Sequence, residues 1–180
     1  MFYIFLADGF EETEALAPVD ILRRAGIPVT TVGVGGTLVR GSHNIYVQAD
    51  MSLSDFSLGS DAQGVILPGG MPGVRNLDAD EKVCAAVTAA AERGLYVCAI
   101  CAAPSVIGRL GLLNGRKATC FPGFEDALTG AQVCSDIVVT DGHFITAKGA
   151  GCALDFGFAI VSAVKGAAEA DRVASAMQIR

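Results

Sequence analysis

No run of lysine or arginine occurs anywhere in the 180 residues, and 13 basic against 19 acidic side chains leave a formal net charge of −6. Without a basic stripe the chain lacks the electrostatic footprint that phosphate-backbone binding requires, so no nucleic-acid partner is expected. No uninterrupted apolar stretch approaches the roughly 20 residues of a membrane-spanning helix. Gly, Pro, Asp or Arg breaks each candidate, and no membrane partner is expected. The N-terminal run MFYIFLA has no basic region ahead of it and meets acids almost at once, so it reads as a first strand, not a secretory leader. Histidine is scarce: His43 and His143 both fall in predicted hairpins, with no carboxylate or cysteine at metal-ligand spacing, which argues against a zinc site. Linkers, low-complexity tracts and internal repeats are also missing, so residues 1–180 are expected to form a single domain.

What is present is ample core material, with 52% hydrophobic and 18% charged residues. Six cysteines without a leader point to reduced thiols in a cytoplasmic protein, each to be judged on its surroundings. Cys84, Cys134 and Cys152 sit among Ala, Val and Leu, where burial as small hydrophobes is expected.

Strand-like and helix-like segments alternate along the chain, the pattern of an α/β fold with a largely parallel sheet. Phe2 to Ala7, Val29 to Val34, Gly64 to Gly69 and Leu95 to Ile100 are short, apolar and bounded by Gly, Pro or Asp, as strands covered on both faces should be. Helices are expected over Glu11 to Ala25, Asp80 to Arg93, Ala103 to Leu110, Gly151 to Val164 and Ala167 to Met177. DIVVTDGHFITA reads as a hairpin turning at Asp141-Gly142, and TLVRGSHNIYVQA as a smaller accessory hairpin.

The segment LYVCAICAAPSVIGRLGLL carries the chemistry. An apolar strand runs straight into Cys101, small residues follow, and Pro104 opens a helix. This is a nucleophile elbow in outline, which would present the sulfur at the carboxyl edge of the sheet, where open α/β sheets bind ligands. Unpaired N–H groups at the turn favour a charged sulfur, so Cys101 is expected to be largely thiolate at neutral pH. Cys98 and Cys101 also match C-x-x-C, but Cys98 lies inside the strand, and residues three apart on a strand point to opposite faces. A thioredoxin-like pair is rejected on that geometry.

ADGFEETEA puts an acidic cluster at the same sheet edge. Glu11 and Glu12 read as complements of the helix dipole. Glu14 lies further into the helix and, if turned inward beside a thiolate, would be raised in pKa and held protonated. In GVILPGGMPG a strand ends in a tight glycine turn, and the N–H groups of Gly70 and Ala102 are candidate donors to an oxyanion. VGVGG leads into another strand and AKGAG lacks the remaining P-loop residues, so neither places a phosphate on a helix N-terminus.

Together GFEETEA, PVDILRRAGIPVT, VILPGG, AICAAP and KGAGCALDFGFAIV resemble the ThiJ/PfpI superfamily, and within it the branch of the Parkinsonism-associated deglycase and its bacterial relatives. The resemblance covers nearly the whole chain in order. It implies a flavodoxin-like three-layer αβα sandwich, a homodimer, and Cys101 paired with Glu14, with no organic cofactor or metal. It also implies a small aldehyde or a glycated protein as substrate, with glyoxalase or deglycase activity, or else oxidation sensing with chaperone function. Some relatives carry older labels as proteases. Several members carry a histidine shortly after the elbow where this chain has Phe121. That departure removes the imidazole of a Cys-His-acid triad and makes peptide hydrolysis the least expected activity.

Overall fold

The computed structural model describes residues 1–179. In chain order the strands are β1 (Phe2–Leu6), β2 (Val29–Gly33), β3 (Leu38–Arg40), β4 (Tyr46–Gln48), β5 (Met51–Ser52), β6 (Gly64–Leu67), β7 (Tyr96–Ile100), β8 (Lys117–Ala118), β9 (Gln132–Val133), β10 (Val138–Asp141) and β11 (Phe144–Ala147). The helices are α1 (Glu12–Arg24), α2 (Gly73–Ala79), α3 (Glu81–Glu92), α4 (Pro104–Arg109), α5 (Ala153–Lys165) and α6 (Ala167–Ala176).

Seven strands form one sheet in the order β10-β11-β7-β6-β1-β2-β5. Neighbours run parallel except for the β10–β11 hairpin. Parallel neighbours need crossovers, and helices supply most of them. Strand alternation then sorts side chains to two faces. Phe2, Ile4, Leu6, Ile66, Cys98 and Ile100 meet α1, α5 and α6, whereas Tyr3, Phe5, Val65, Leu67, Val97 and Ala99 meet α2, α3 and α4. The result is the expected flavodoxin-like αβα sandwich. Phe2, Phe5, Phe10 and Phe156 are fully buried, and each such side chain contributes about 1.5–3 kcal/mol by leaving water.

α5 packs tightly on α1 because Gly157 has no side chain: a Cβ there would stand 2.7 Å from Ile21 Cδ1 and 3.2 Å from Pro18 Cα. Pro18 lies inside α1, four residues after Glu14. It has no N–H to return to the Glu14 carbonyl, so the helical ladder is interrupted at the turn that carries the candidate carboxyl.

β3 and β4 form the accessory antiparallel hairpin as expected. α2 was not expected, because Pro72 and Gly73 mark a turn; Val74 and Leu77, one helical turn apart, are buried and hold it. β5, β8 and β9 are two-residue ladders defined by tertiary pairing, with no local signal. Of the three cysteines expected to be buried, only Cys152 is. Cys84 sits at the margin of α3 with Sγ 3.4 Å from the Asp78 carbonyl, and Cys134 ends the short β9 edge, so both are half-buried. Among the described residues no helix is long and apolar enough to cross a membrane.

Candidate active site

β1, β6 and β7 end side by side, and the three segments singled out from the sequence leave the sheet at that edge. Cys101 follows β7 directly with φ of +65°. For a residue with a Cβ the left-handed region costs about 1–2 kcal/mol, and the elbow is held there from both sides. The Cys101 N–H donates to the Ala147 carbonyl (2.8 Å), and the Phe121 N–H donates to the Cys101 carbonyl (2.8 Å). Pro104 then opens α4 at its first position. The sulfur is half-buried and faces the N–H groups of Ala102 and Gly70. Both predicted backbone donors therefore converge on the sulfur.

Glu14 is brought to the same point by α1. Glu11 caps that helix, its Oε2 accepting the Glu14 N–H (2.7 Å), and the Glu11 N–H donates to the Gly69 carbonyl (2.9 Å). The helix start is thus stitched to the turn after β6. Glu14 itself is 1% exposed, and its Oε2 accepts the Gly69 N–H at 2.9 Å. The Ala150 N–H and the Cys101 thiol also hydrogen-bond to its carboxyl.

Gly69 is the floor on which the pair meets. A Cβ there would stand 2.5 Å from Cys101 Cβ and 3.1 Å from its Sγ, and would overlap Glu14 Oε2. Gly70 has φ of +90°, and a Cβ on it would press on the Gly9 carbonyl at 2.6 Å. The sequence pattern marks both glycines as a tight turn and Gly70 as the donor; the contact of Gly69 with both reacting side chains comes from the fold.

The electrostatics correct the expected thiolate. Burial, and then the charge and hydrogen bond of Glu14, push the Cys101 thiol up to about 12, against the opposing pull of the Ala102 and Gly70 N–H groups. The turn dipoles are outweighed. Burial, with Glu11 adding like charge, also raises Glu14, to about 7. The carboxyl is therefore close to half-protonated at neutral pH. Moving the thiol proton onto Glu14 removes both the opposing charge and the acceptor that hold the sulfur neutral.

Glu12 was read as a dipole complement, and the structure gives it a larger part. It is buried, and its oxygens accept from the His43 N–H (2.8 Å), His43 Nδ1 (2.8 Å) and Ser42 Oγ (3.2 Å). These bonds, despite burial, hold its carboxyl down at about 2 and fasten the β3–β4 loop over the start of α1. No spacing along the chain reveals this. Glu11, Glu12 and His43 bring ligand-type atoms within 4.8 Å of one another, a cluster in space that was absent from the sequence pattern. Its members are engaged with each other and with the α1 cap. His143 packs edge-on against Tyr96.

A strained elbow cysteine beside a buried carboxyl, at the carboxyl edge of a flavodoxin-like sheet, defines a recognisable class of site. Residues 2–163 match the model of the DJ-1/PfpI family, and the chain belongs to that family. It is 33% identical to protein dj-1beta of Drosophila melanogaster over 180 aligned residues, covering 98% of this chain and 95% of the relative. A deglycase of Pyrococcus abyssi is 27% identical over 147 residues, covering 81% and 87%. The crystal structure of a cysteine-to-alanine mutant of a DJ-1 superfamily protein from Salmonella typhimurium superposes with a TM-score of 0.93 at 34% identity, over 99% and 98% of the two chains. Toxoplasma gondii DJ-1, in an oxidized form, gives 0.93 at 27% identity, over 98% and 97%.

Proposed function

We propose that this chain is a cysteine-dependent, glutathione-independent glyoxalase or deglycase acting on methylglyoxal or its adducts. The observation that carries the reading is the buried Glu14 carboxyl, titrating near 7, hydrogen-bonded to the sulfur of a strained elbow cysteine. Near neutrality such a carboxyl both accepts and returns protons. In the proposed cycle Glu14 takes the Cys101 proton and the sulfur adds to the aldehyde carbon. The Gly70 and Ala102 N–H groups, which face the sulfur, are the donors available to the resulting oxyanion. Glu14 returns the thiol proton to that oxyanion, giving the hemithioacetal. As a carboxylate again, it moves the proton from the former aldehyde carbon to the neighbouring carbonyl carbon while the hydroxyl proton passes to the ketone oxygen, giving a thioester of the hydroxy acid. Water cleaves the thioester, releasing lactate and restoring the thiol. The aldehyde carbon is oxidised and the ketone carbon reduced, so no external redox partner enters.

Support also comes from the Pyrococcus relative, which is named a deglycase. Peptide hydrolysis is disfavoured because Phe121 stands where a triad would need an imidazole, while His43 is held by Glu12 and His143 packs on Tyr96. The test is lactate formation from methylglyoxal without glutathione. It should vanish in Cys101→Ser and fall at least about 100-fold in Glu14→Gln; an unchanged rate in the cysteine variant refutes the mechanism.

A second reading, redox sensing with holdase activity under oxidative stress, is favoured by the two N–H groups facing Sγ, which would also hold the oxygens of a sulfinate. A solved relative carries the description oxidized. Intact mass after mild peroxide decides it: failure to gain two oxygens at Cys101 removes this reading. A cytoplasmic homodimer completes the proposal, and a monomer by light scattering at micromolar concentration would overturn the dimer.

A further inference from the structure

A groove of about 400 Å³ opens beside the Cys101–Glu14 pair, between the Phe121 segment and residues 148–152. We infer that this groove receives the aryl or branched-alkyl substituent of a 2-oxo carbonyl compound, so that aldehydes bearing such a group are preferred over methylglyoxal. The inference rests on the aldehyde chemistry proposed above and names its substrate class.

Three observations carry it. First, the groove adjoins the reacting pair through its lining residues Phe121, Gly149 and Ala150, the last of which donates its N–H to the Glu14 carboxyl. The Phe121 N–H is bonded to the Cys101 carbonyl, and the bare Cα of Gly149 is bordered on one side by the Phe121 ring and on the other by Glu14. A Cβ on Gly149 would stand 3.3 Å from that ring and 3.9 Å from Glu14 Oε1. Second, the groove offers exposed apolar surface: Phe121 is 46% and Ile137 55% exposed, and Ala150 and Cys152 line it with them. Third, Lys148 on the rim donates to the Ser135 carbonyl (2.7 Å), which ties it to the neighbouring loop. A methyl group covers little of this apolar surface, whereas an aryl ring brings a face that can stack on Phe121.

The reaction stays balanced for any such substrate: R–CO–CHO plus water gives R–CHOH–COO⁻ and a proton, with oxidation at the terminal carbon matched by reduction at its neighbour.

The experiment compares kcat/KM for phenylglyoxal and methylglyoxal in the wild type, Ile137→Ser and Leu38→Ser. The wild type should prefer phenylglyoxal by roughly 10- to 100-fold, and Ile137→Ser should lower that ratio by roughly tenfold, mainly through KM. Leu38→Ser, also largely exposed but on the β3–β4 hairpin, should keep the ratio. A ratio near one in the wild type, or one indifferent to Ile137→Ser, overturns the inference. A second readout needs no turnover: phenylglyoxylate and pyruvate are compared for protection of Cys101 from iodoacetamide. Phenylglyoxylate should protect at roughly tenfold lower concentration, and Ile137→Ser should erase the difference. Selective protection without turnover of either aldehyde refutes the proposed reaction and leaves the apolar subsite standing. Equal protection by the two acids refutes the subsite whatever the turnover.

Discussion

Replacing Glu14 with glutamine keeps the shape of the side chain and removes its titration. A carboxyl whose ordinary value is 4.5 and whose folded value is about 7 binds its proton more tightly in the native state than in the unfolded chain. The native state therefore loses stability relative to the unfolded state as pH rises through that window, and the loss is complete above about pH 7. At about 1.4 kcal/mol per pH unit the full effect is about 3 kcal/mol, of which about 2 kcal/mol falls between pH 5.5 and 8. Cys101, raised to about 12, contributes its own loss only in alkali. The other titrating groups are present in both proteins. Cys101 loses the Glu14 charge and hydrogen bond in the variant, but burial, the largest cause, still raises it, so between pH 5.5 and 8 the difference between the profiles reports chiefly on residue 14. The chain contains no tryptophan, so urea unfolding is best followed by far-ultraviolet circular dichroism. The wild type should lose about 2 kcal/mol relative to E14Q across pH 5.5 to 8, and E14Q should be the more stable protein at pH 8. Parallel profiles would refute the claim that this carboxyl is held near neutrality by burial.

Gly69→Ala should slow iodoacetamide alkylation of Cys101 and cost about 1–3 kcal/mol by urea unfolding, because the new methyl overlaps Glu14 Oε2 and crowds the sulfur. Glu12→Ala leaves the His43 N–H without its carboxylate and should cost about 1–3 kcal/mol, with faster hydrogen exchange at His43. The same tie is fully present above about pH 4.5 and is lost as pH falls toward about 2, because the folded carboxyl titrates there. Cys98→Ala should cost about 1 kcal/mol and leave the alkylation rate of Cys101 unchanged, since Cys98 is fully buried within β7; a changed rate would reopen the C-x-x-C reading.

Local patterning was enough for β1, β2, β6, β7 and the β10–β11 hairpin, whose apolar runs and Asp141-Gly142 turn speak for themselves. The elbow at Cys101 was legible because a strand, small residues and a helix-opening proline are consecutive in the chain. The ionisation of Cys101 was not. The dipoles that favour a thiolate are written into residues 101–104, but the burial and the Glu14 charge that outweigh them come from α1, 87 residues away in sequence. Glu12 was misjudged for the same reason, since its partners lie on a hairpin loop that only the folded chain brings near. Gly69 is legible with Gly70 as part of a tight turn, but not as the contact point of the reacting pair. The need for glycine there arises from two side chains delivered by other elements.

The order in which the elbow is clamped has a consequence for the protein during its own synthesis. The carbonyl that receives the Cys101 N–H belongs to Ala147, and the amide that holds the Cys101 carbonyl belongs to Phe121. A nascent chain that has emerged only through α4 already contains sulfur and carboxyl, but neither clamp. Until β11 pairs with β7 and the Phe121 segment arrives, neither of those two bonds fixes the left-handed backbone of Cys101. The elbow is therefore completed by residues that follow it by 20 and 46 positions, and its own strand and helix do not suffice to hold it.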